Sequence, residues 1–217
     1  MKRKIKICGV REPRDVLVCN DIGVDFIGFN FADISPRRIN PKYANKKELS
    51  KYCKEIDRVA VFVNPSDDHL IESTTSVDAT YIQLHGNESI ERCQEIKEVY
   101  KLPLIKAFGI ENTYDLNKAM EYNNIVDYFL FDAKPEESKN SLKGGLNKIF
   151  DWKILDNWEG KNFFLAGGIN INNMKYAIKN TQAYCIDISS GVEKELGVKD
   201  RNMIKELFEE FNTTVSA

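Results

Sequence analysis

Eight short apolar runs recur along the chain, and their alternation with polar, helix-compatible segments constrains the fold more than any other feature. The runs are KIKICGV, DFIGFNF, RVAVFVN, YIQLHG, LPLIKAFGI, DYFLFDA, FFLAGGI and YCIDISSG. Each is strand-length and rich in β-branched or aromatic residues. Between them lie PKYANKKELSKYCKEI, ESIERCQEIKEVY, NTYDLNKAMEYN and NINNMKYAIKN, with apolar residues three and four apart and Asn, Ser or Thr near their starts. That spacing predicts amphipathic helices. The final segment, KDRNMIKELFEEFN, supplies an eighth helix. Strands alternating with helices imply a parallel sheet, and 217 residues leave about 27 for each of eight units. The expectation is an α/β chain folded as a single (β/α)8 TIM barrel of eight parallel strands, one domain over residues 1–217. A doubly wound sheet fits less well, because CGVREP follows the first strand where that fold carries GxGxxG.

A formal net charge of -2 gives no basic field for nucleic acid. The basic start MKRKIKICGV breaks its apolar run at Lys6 and Gly9, so it forms neither a signal-peptide core nor a membrane span. A cytoplasmic protein without nucleic-acid or membrane partners is expected. Cys8, Cys19, Cys53, Cys93 and Cys185 are scattered, with no CxxC pair and only two histidines. They read as reduced thiols, with no metal site.

Barrel enzymes place their chemistry where strands end. Here the first strand ends in Cys8, the fourth in His85, the sixth in Asp132, the seventh in Gly167 and Gly168, and the eighth in Asp187, Ser189, Ser190 and Gly191. Alternation puts Ile5 and Ile7 on one face and Lys6 and Cys8 on the other; Gln83 with His85, and Asp187 with Ser189, repeat the pattern. Burying such polar groups unpaired costs roughly 2–7 kcal/mol each, which ligand contacts offset. AGGIN and SSGVE stand where barrels hold a phosphate, with backbone N–H groups, hydroxyls and a following helix N-terminus as its partners; each also reads as an ordinary tight turn. Cys8 reads as a small buried hydrophobe or a catalytic thiol, Asp132 as a cap or an acid, His85 as a core or a site histidine, and Arg37 as a solvated charge or a partner for an anionic substrate.

Taken in order, KICG, GFNFADISPR, VAVFVN, QLHG, IKAF, FDAK, GGLNKIFDW, LAGGIN and DISSGVEKELGVKD make the chain resemble the phosphoribosylanthranilate isomerase family, essentially end to end. The resemblance implies a cofactor-free Amadori rearrangement in tryptophan biosynthesis, acting on a small phosphorylated substrate, in a monomer or homodimer. It implies Asp132 as general acid and Cys8 as general base. Those roles ask for an Asp132 pKa raised by an apolar setting, which the Phe129 to Phe131 run supplies, or by a nearby anion, and for a partly ionised thiol, which Lys6 on the same strand face favours. Arg37 is implied for the anthranilate carboxylate, Asp187 for the ribose, and Gly167, Gly168, Ser189, Ser190 and Gly191 for the phosphate; His85 lines the pocket. Indole-3-glycerol phosphate synthase shares the phosphate logic but not the Cys8 and Asp132 pair. Two departures stand out. Asn147 replaces a glycine usual in the loop after strand six, AKPEESKNSLKGGLNKIF, which is expected to move over the barrel mouth, and EKELGVKD lacks a proline often found before its glycine.

Overall fold

In the computed structural model, which describes residues 3–43, 52–53, 55–134 and 150–216, all eight predicted runs form strands. They are β1 (Lys4–Cys8), β2 (Phe26–Asn30), β3 (Asp57–Phe62), β4 (Tyr81–Leu84), β5 (Leu104–Ile110), β6 (Tyr128–Ala133), β7 (Phe163–Leu165) and β8 (Cys185–Ile188). Each pairs in parallel with the next, and β8 closes on β1 with Lys6 opposite Asp187 and Ile7 opposite Ile188. The α-helices that lie wholly within the described residues are α1 (Pro13–Ile22), α2 (Asp67–Val77), α3 (Ile90–Tyr100), α4 (Thr113–Met120), α5 (Met174–Asn180) and α6 (Arg201–Ser216). Most of PKYANKKELSKYCKEI, and the loop that contains Asn147, lie outside the described residues.

Local chemistry sets the helix starts. Ser66, Ser89 and Asn112 accept hydrogen bonds from the first backbone N–H groups of α2, α3 and α4, and Asn112 with Asp115 forms a capping box. Two connections differ from the expected pattern. After β6 the described chain carries a 3-10 helix, Trp152–Asn157. After β8 it makes an antiparallel hairpin, β9 (Glu193–Glu195) with β10 (Val198–Lys199), before α6 begins.

Strand parity divides the apolar residues into two cores. Ile5, Ile7, Ile27, Ile82, Leu84, Phe129 and Phe131 face outward and pack with helix residues such as Val16, Leu70, Ile96 and Leu207. Phe26, Val59, Val61, Ile105, Ala107, Leu130 and Phe164 fill the barrel interior. At the N-terminal ends of the strands, Phe26, Tyr81, Tyr128, Phe164 and Tyr184 close the bottom with edge-on and stacked rings. The apolar plug excludes water from below, so a polar layer above it meets solvent only through the mouth. Among the described residues, no helix is long and apolar enough to cross a membrane.

Candidate active site

Lys6 lies inside the barrel at 0% exposure. Its Nζ donates to Asp187 Oδ2 and to Gln83 Oε1, both at 2.9 Å. Burial acts to strip the ammonium of its proton, but the Asp187 carboxylate and the Cys8 sulfur outweigh it, so its pKa is raised. Asp187 Oδ1 is buried and has no hydrogen-bond partner among the described residues. An orphaned carboxylate oxygen is costly to leave in a closed site, and a ligand hydroxyl is the kind of group that satisfies it.

Above this layer β1 ends in Cys8, which is half-buried. Gly28 makes its space: a Cβ there would lie 2.7 Å from the Cys8 sulfur. Burial pushes the thiol above its ordinary 9.0; Lys6 and Lys199 pull the other way, and Asp187 adds to the rise. The expectation of a partly ionised thiol is therefore corrected. Lys6 does face the sulfur, but Asp187 pairs with the same ammonium, and what remains does not overcome desolvation.

Asp132 shows the same physics with a different outcome. Desolvation raises its carboxyl to about 6, aided by Asp187 and opposed by the Ala133 N–H and by Lys6. The Ala133 N–H donates to Oδ1 at 2.7 Å. Within the predicted Phe129 to Phe131 run, Leu130 shares the inner face with Asp132, while Phe129 and Phe131 belong to the outer core. His85 Nε2 lies 3.6 Å from Asp132 Oδ2, and the imidazole is 37% exposed. Even so, the low-dielectric mouth, with Lys106 and Lys6 nearby, pushes its pKa down to about 4. The ring is neutral at pH 7.

Arg37 is buried and already engaged. Its Nε and Nη2 form a two-pronged pair with Glu193, at 2.7 and 2.8 Å. Lys199 donates to Glu193 at 2.9 Å and to the Ser189 carbonyl at 2.8 Å. Two buried cations thus share one carboxylate, which leaves this cluster with a positive excess suited to an anion.

The two glycine turns face each other across a backbone bridge between Asn170 and Gly191. Gly167 and Gly168 both have positive φ, 87° and 65°, and a Cβ on Gly167 would meet the Ala133 nitrogen at 2.6 Å and Asp132 Oδ1 at 2.9 Å. Asn170 and Asn173 side chains hold the Gly168 carbonyl. The Ser189 hydroxyl donates to the Cys8 carbonyl at 3.1 Å, tying the β8 turn to the end of β1. A helix does not follow SSGVE directly, since the β9–β10 hairpin intervenes. The described residues contain no group of three or more His, Cys, Asp or Glu arranged to hold a metal ion.

Comparison with known proteins decides the lineage. Residues 5–210 match the family model for N-(5'-phosphoribosyl)anthranilate (PRA) isomerase. The N-(5'-phosphoribosyl)anthranilate isomerase of Rhizobium rhizogenes is 41% identical over 211 residues, 96% of this chain and 94% of that protein. The chain belongs to the phosphoribosylanthranilate isomerase family. Among solved structures, the isomerase of Thermotoga maritima superposes with a TM-score of 0.85 at 33% identity, covering 97% of this chain and 99% of the other. A second isomerase structure, in complex with reduced 1-(o-carboxyphenylamino)-1-deoxyribulose 5-phosphate, gives 0.83 at 30% identity, with coverage of 97% and 99%.

For a member of this isomerase family, the closed barrel brings Asp132, His85 and Asp187 together, with Cys8 beside Lys6 at the end of β1, all at strand ends that the sequence singled out. Glu193 and Lys199 were assigned no role from the sequence, although both stand in the DISSGVEKELGVKD ending that carries the resemblance; their partners, Arg37 and Ser189, are joined to them by a hairpin that periodicity did not predict. Gly191 carries a stability prediction: a Cβ there would sit 2.1 Å from the Ile169 carbonyl oxygen. Gly191→Ala is expected to destabilise the fold by about 2 kcal/mol, lowering the melting temperature by roughly 4–8 °C. Thermal unfolding followed by circular dichroism checks this, and an unchanged midpoint would mean the bridge yields freely.

Proposed function

We propose that the protein isomerises N-(5-phosphoribosyl)anthranilate to 1-(2-carboxyphenylamino)-1-deoxyribulose 5-phosphate in tryptophan biosynthesis. One observation carries the chemistry: a carboxyl that holds its proton to about pH 6 shares the mouth with a thiol, in a chain of this family. Asp132 gives its proton to the furanose ring oxygen, the C1′–O bond breaks, and the nitrogen lone pair forms the C1′=N bond of a Schiff base. Cys8, as thiolate, takes the C2′ proton. The electron pair moves toward nitrogen and gives an enolamine. The enol oxygen then loses its proton, C1′ gains one, and the C2′ ketone forms. Each step is a proton transfer or a bond shift within the substrate, so the scheme calls on no cofactor.

The competent form pairs a protonated Asp132 with an ionised Cys8, which is the minority arrangement when the acid titrates near 6 and burial raises the thiol above its ordinary range. Between those values the gain in thiolate with rising pH offsets the loss of carboxylic acid. The kcat/KM profile is therefore level from about pH 6 to 9 and falls about tenfold per unit below 6.

The other groups bind. The orphaned Asp187 Oδ1 supports a role at a ribose hydroxyl, and the AGGIN and SSGVE turns support a phosphate role for Gly167, Gly168, Ser189, Ser190 and Gly191. Arg37 has five N–H donors, of which two meet Glu193; the remaining Nη N–H groups suit the anthranilate carboxylate. Arg37→Lys is expected to raise KM about 10- to 100-fold with a smaller change in kcat, because Lys cannot serve Glu193 and the substrate with one planar fork. Initial rates against substrate concentration test this; an unchanged KM assigns the carboxylate elsewhere. For the reading as a whole, turnover in D2O is informative: one deuterium appears at C1′ of the ketose product.

A further inference from the structure

A single line of hydrogen bonds crosses the barrel from Asp187 to the mouth, and its polarity is fixed at one end. Lys6 is an ammonium and can only donate, so the Gln83 atom it meets at 2.9 Å must be the amide oxygen. The Gln83 nitrogen therefore faces His85 Nδ1, at 3.1 Å, and can only donate to it. A ring nitrogen that accepts carries no proton, so the neutral imidazole must hold its proton on Nε2. That nitrogen lies 3.6 Å from Asp132 Oδ2.

We propose that Lys6 and Gln83 lock His85 as the Nε2–H tautomer, making it a neutral hydrogen-bond donor to the Asp132 carboxylate that forms when the acid gives up its proton. His85 acts through Asp132 and is a positioning residue, as are Lys6 and Gln83. The low pKa of the ring, about 4, keeps it from becoming a competing acid. The charged groups that act on it are Lys106 on β5, itself paired with Glu88 at 3.2 Å, Lys6 on β1, itself paired with Asp187, and Asp132 on β6 at 3.6 Å. The 3.6 Å separation closes to hydrogen-bonding range as the carboxylate develops charge, the usual tightening of a catalytic contact. The tautomer is independent of the reaction; its kinetic consequence rests on Asp132 being the acid.

With only two histidines in the chain, nitrogen-15 NMR of the imidazoles reads the tautomer directly, His85 being assigned by the loss of its signals in His85→Gln. In wild type at pH 7, His85 Nε2 is expected to carry the proton and Nδ1 to be bare. Gln83→Met, which changes no charge, is expected to give mixed tautomers, to lower kcat/KM about tenfold, and to move the acidic limb of the profile above pH 6. His85→Gln, whose amide can still donate, keeps activity within about threefold, whereas His85→Leu repeats the tenfold loss and the shifted limb. A proton on Nδ1, or a charged ring at pH 7, overturns the lock. An unmoved limb in both Gln83→Met and His85→Leu overturns the coupling to Asp132. Absence of isomerase activity in wild type overturns the reaction assignment alone, since the NMR result stands apart from it.

Discussion

Asp132→Asn is expected to lower kcat/KM by about 10²- to 10⁴-fold, the range that a general acid supplies, while leaving a more stable protein. Both effects have one cause. The mouth of the barrel desolvates the carboxyl and raises it from 3.8 to about 6. Its folded pKa exceeds its unfolded value, so the folded state holds the proton more tightly. The group's contribution to stability is present below about pH 4 and is lost as pH rises through 6. At pH 8 wild type bears a buried charge that asparagine does not. Two pKa units correspond to about 3 kcal/mol, but the side chain is 30% exposed, and solvent screening reduces the expected gain to about 1 kcal/mol. Denaturant unfolding at pH 8 should show that gain, and at pH 4 it should vanish. The profile of the residual activity is equally specific. With no acid to lose its proton, the level region of wild type becomes a steady rise toward pH 9, tracking thiolate alone. A variant that stays level across pH 6 to 9 would remove Asp132 from the acid role.

Cys8→Ser carries the second large effect, a loss of about 10²- to 10⁴-fold in kcat/KM with KM little changed. Serine fills nearly the same space beside Gly28, so folding and binding are preserved, but an alcohol yields its anion far less readily than a thiol. Isotopic substitution of the substrate sharpens the test. If Cys8 removes the C2′ proton, deuterium substitution at C2′ slows Cys8→Ser more than wild type, because proton abstraction then limits the rate. An equal isotope effect in the two proteins would place the base elsewhere.

Much of this site was legible from strand parity. Ile5 and Ile7 alternate with Lys6 and Cys8, and the structure places the first pair outside and the second inside. Gln83, His85 and Asp187 follow the same rule. Of the Phe129 to Phe131 run, parity leaves only Leu130 on the face of Asp132: the two rings alternate with the acid and point away from it. The ionisation of Cys8 was not legible, because it depends on a balance among burial, Lys6 and Asp187 that only the closed β8–β1 seam sets. Glu193 and Lys199 were hidden for a related reason. They meet Arg37 and Ser189 through a hairpin, and a long-range pairing leaves no period in a single sequence. Fold and catalytic candidates are written in local patterns, whereas protonation states and the engagement of Arg37 are written in contacts between distant segments.

Freshly prepared phosphoribosylanthranilate is fluorescent, and loss of that fluorescence reports whether this mouth isomerises it. Rapid loss of fluorescence is expected with wild-type protein, and decay at least about 100-fold slower with Cys8→Ser and with Asp132→Asn at equal concentration. Decay with folded wild type no faster than the uncatalysed rate would contradict isomerisation at this mouth and leave the barrel as a binding protein.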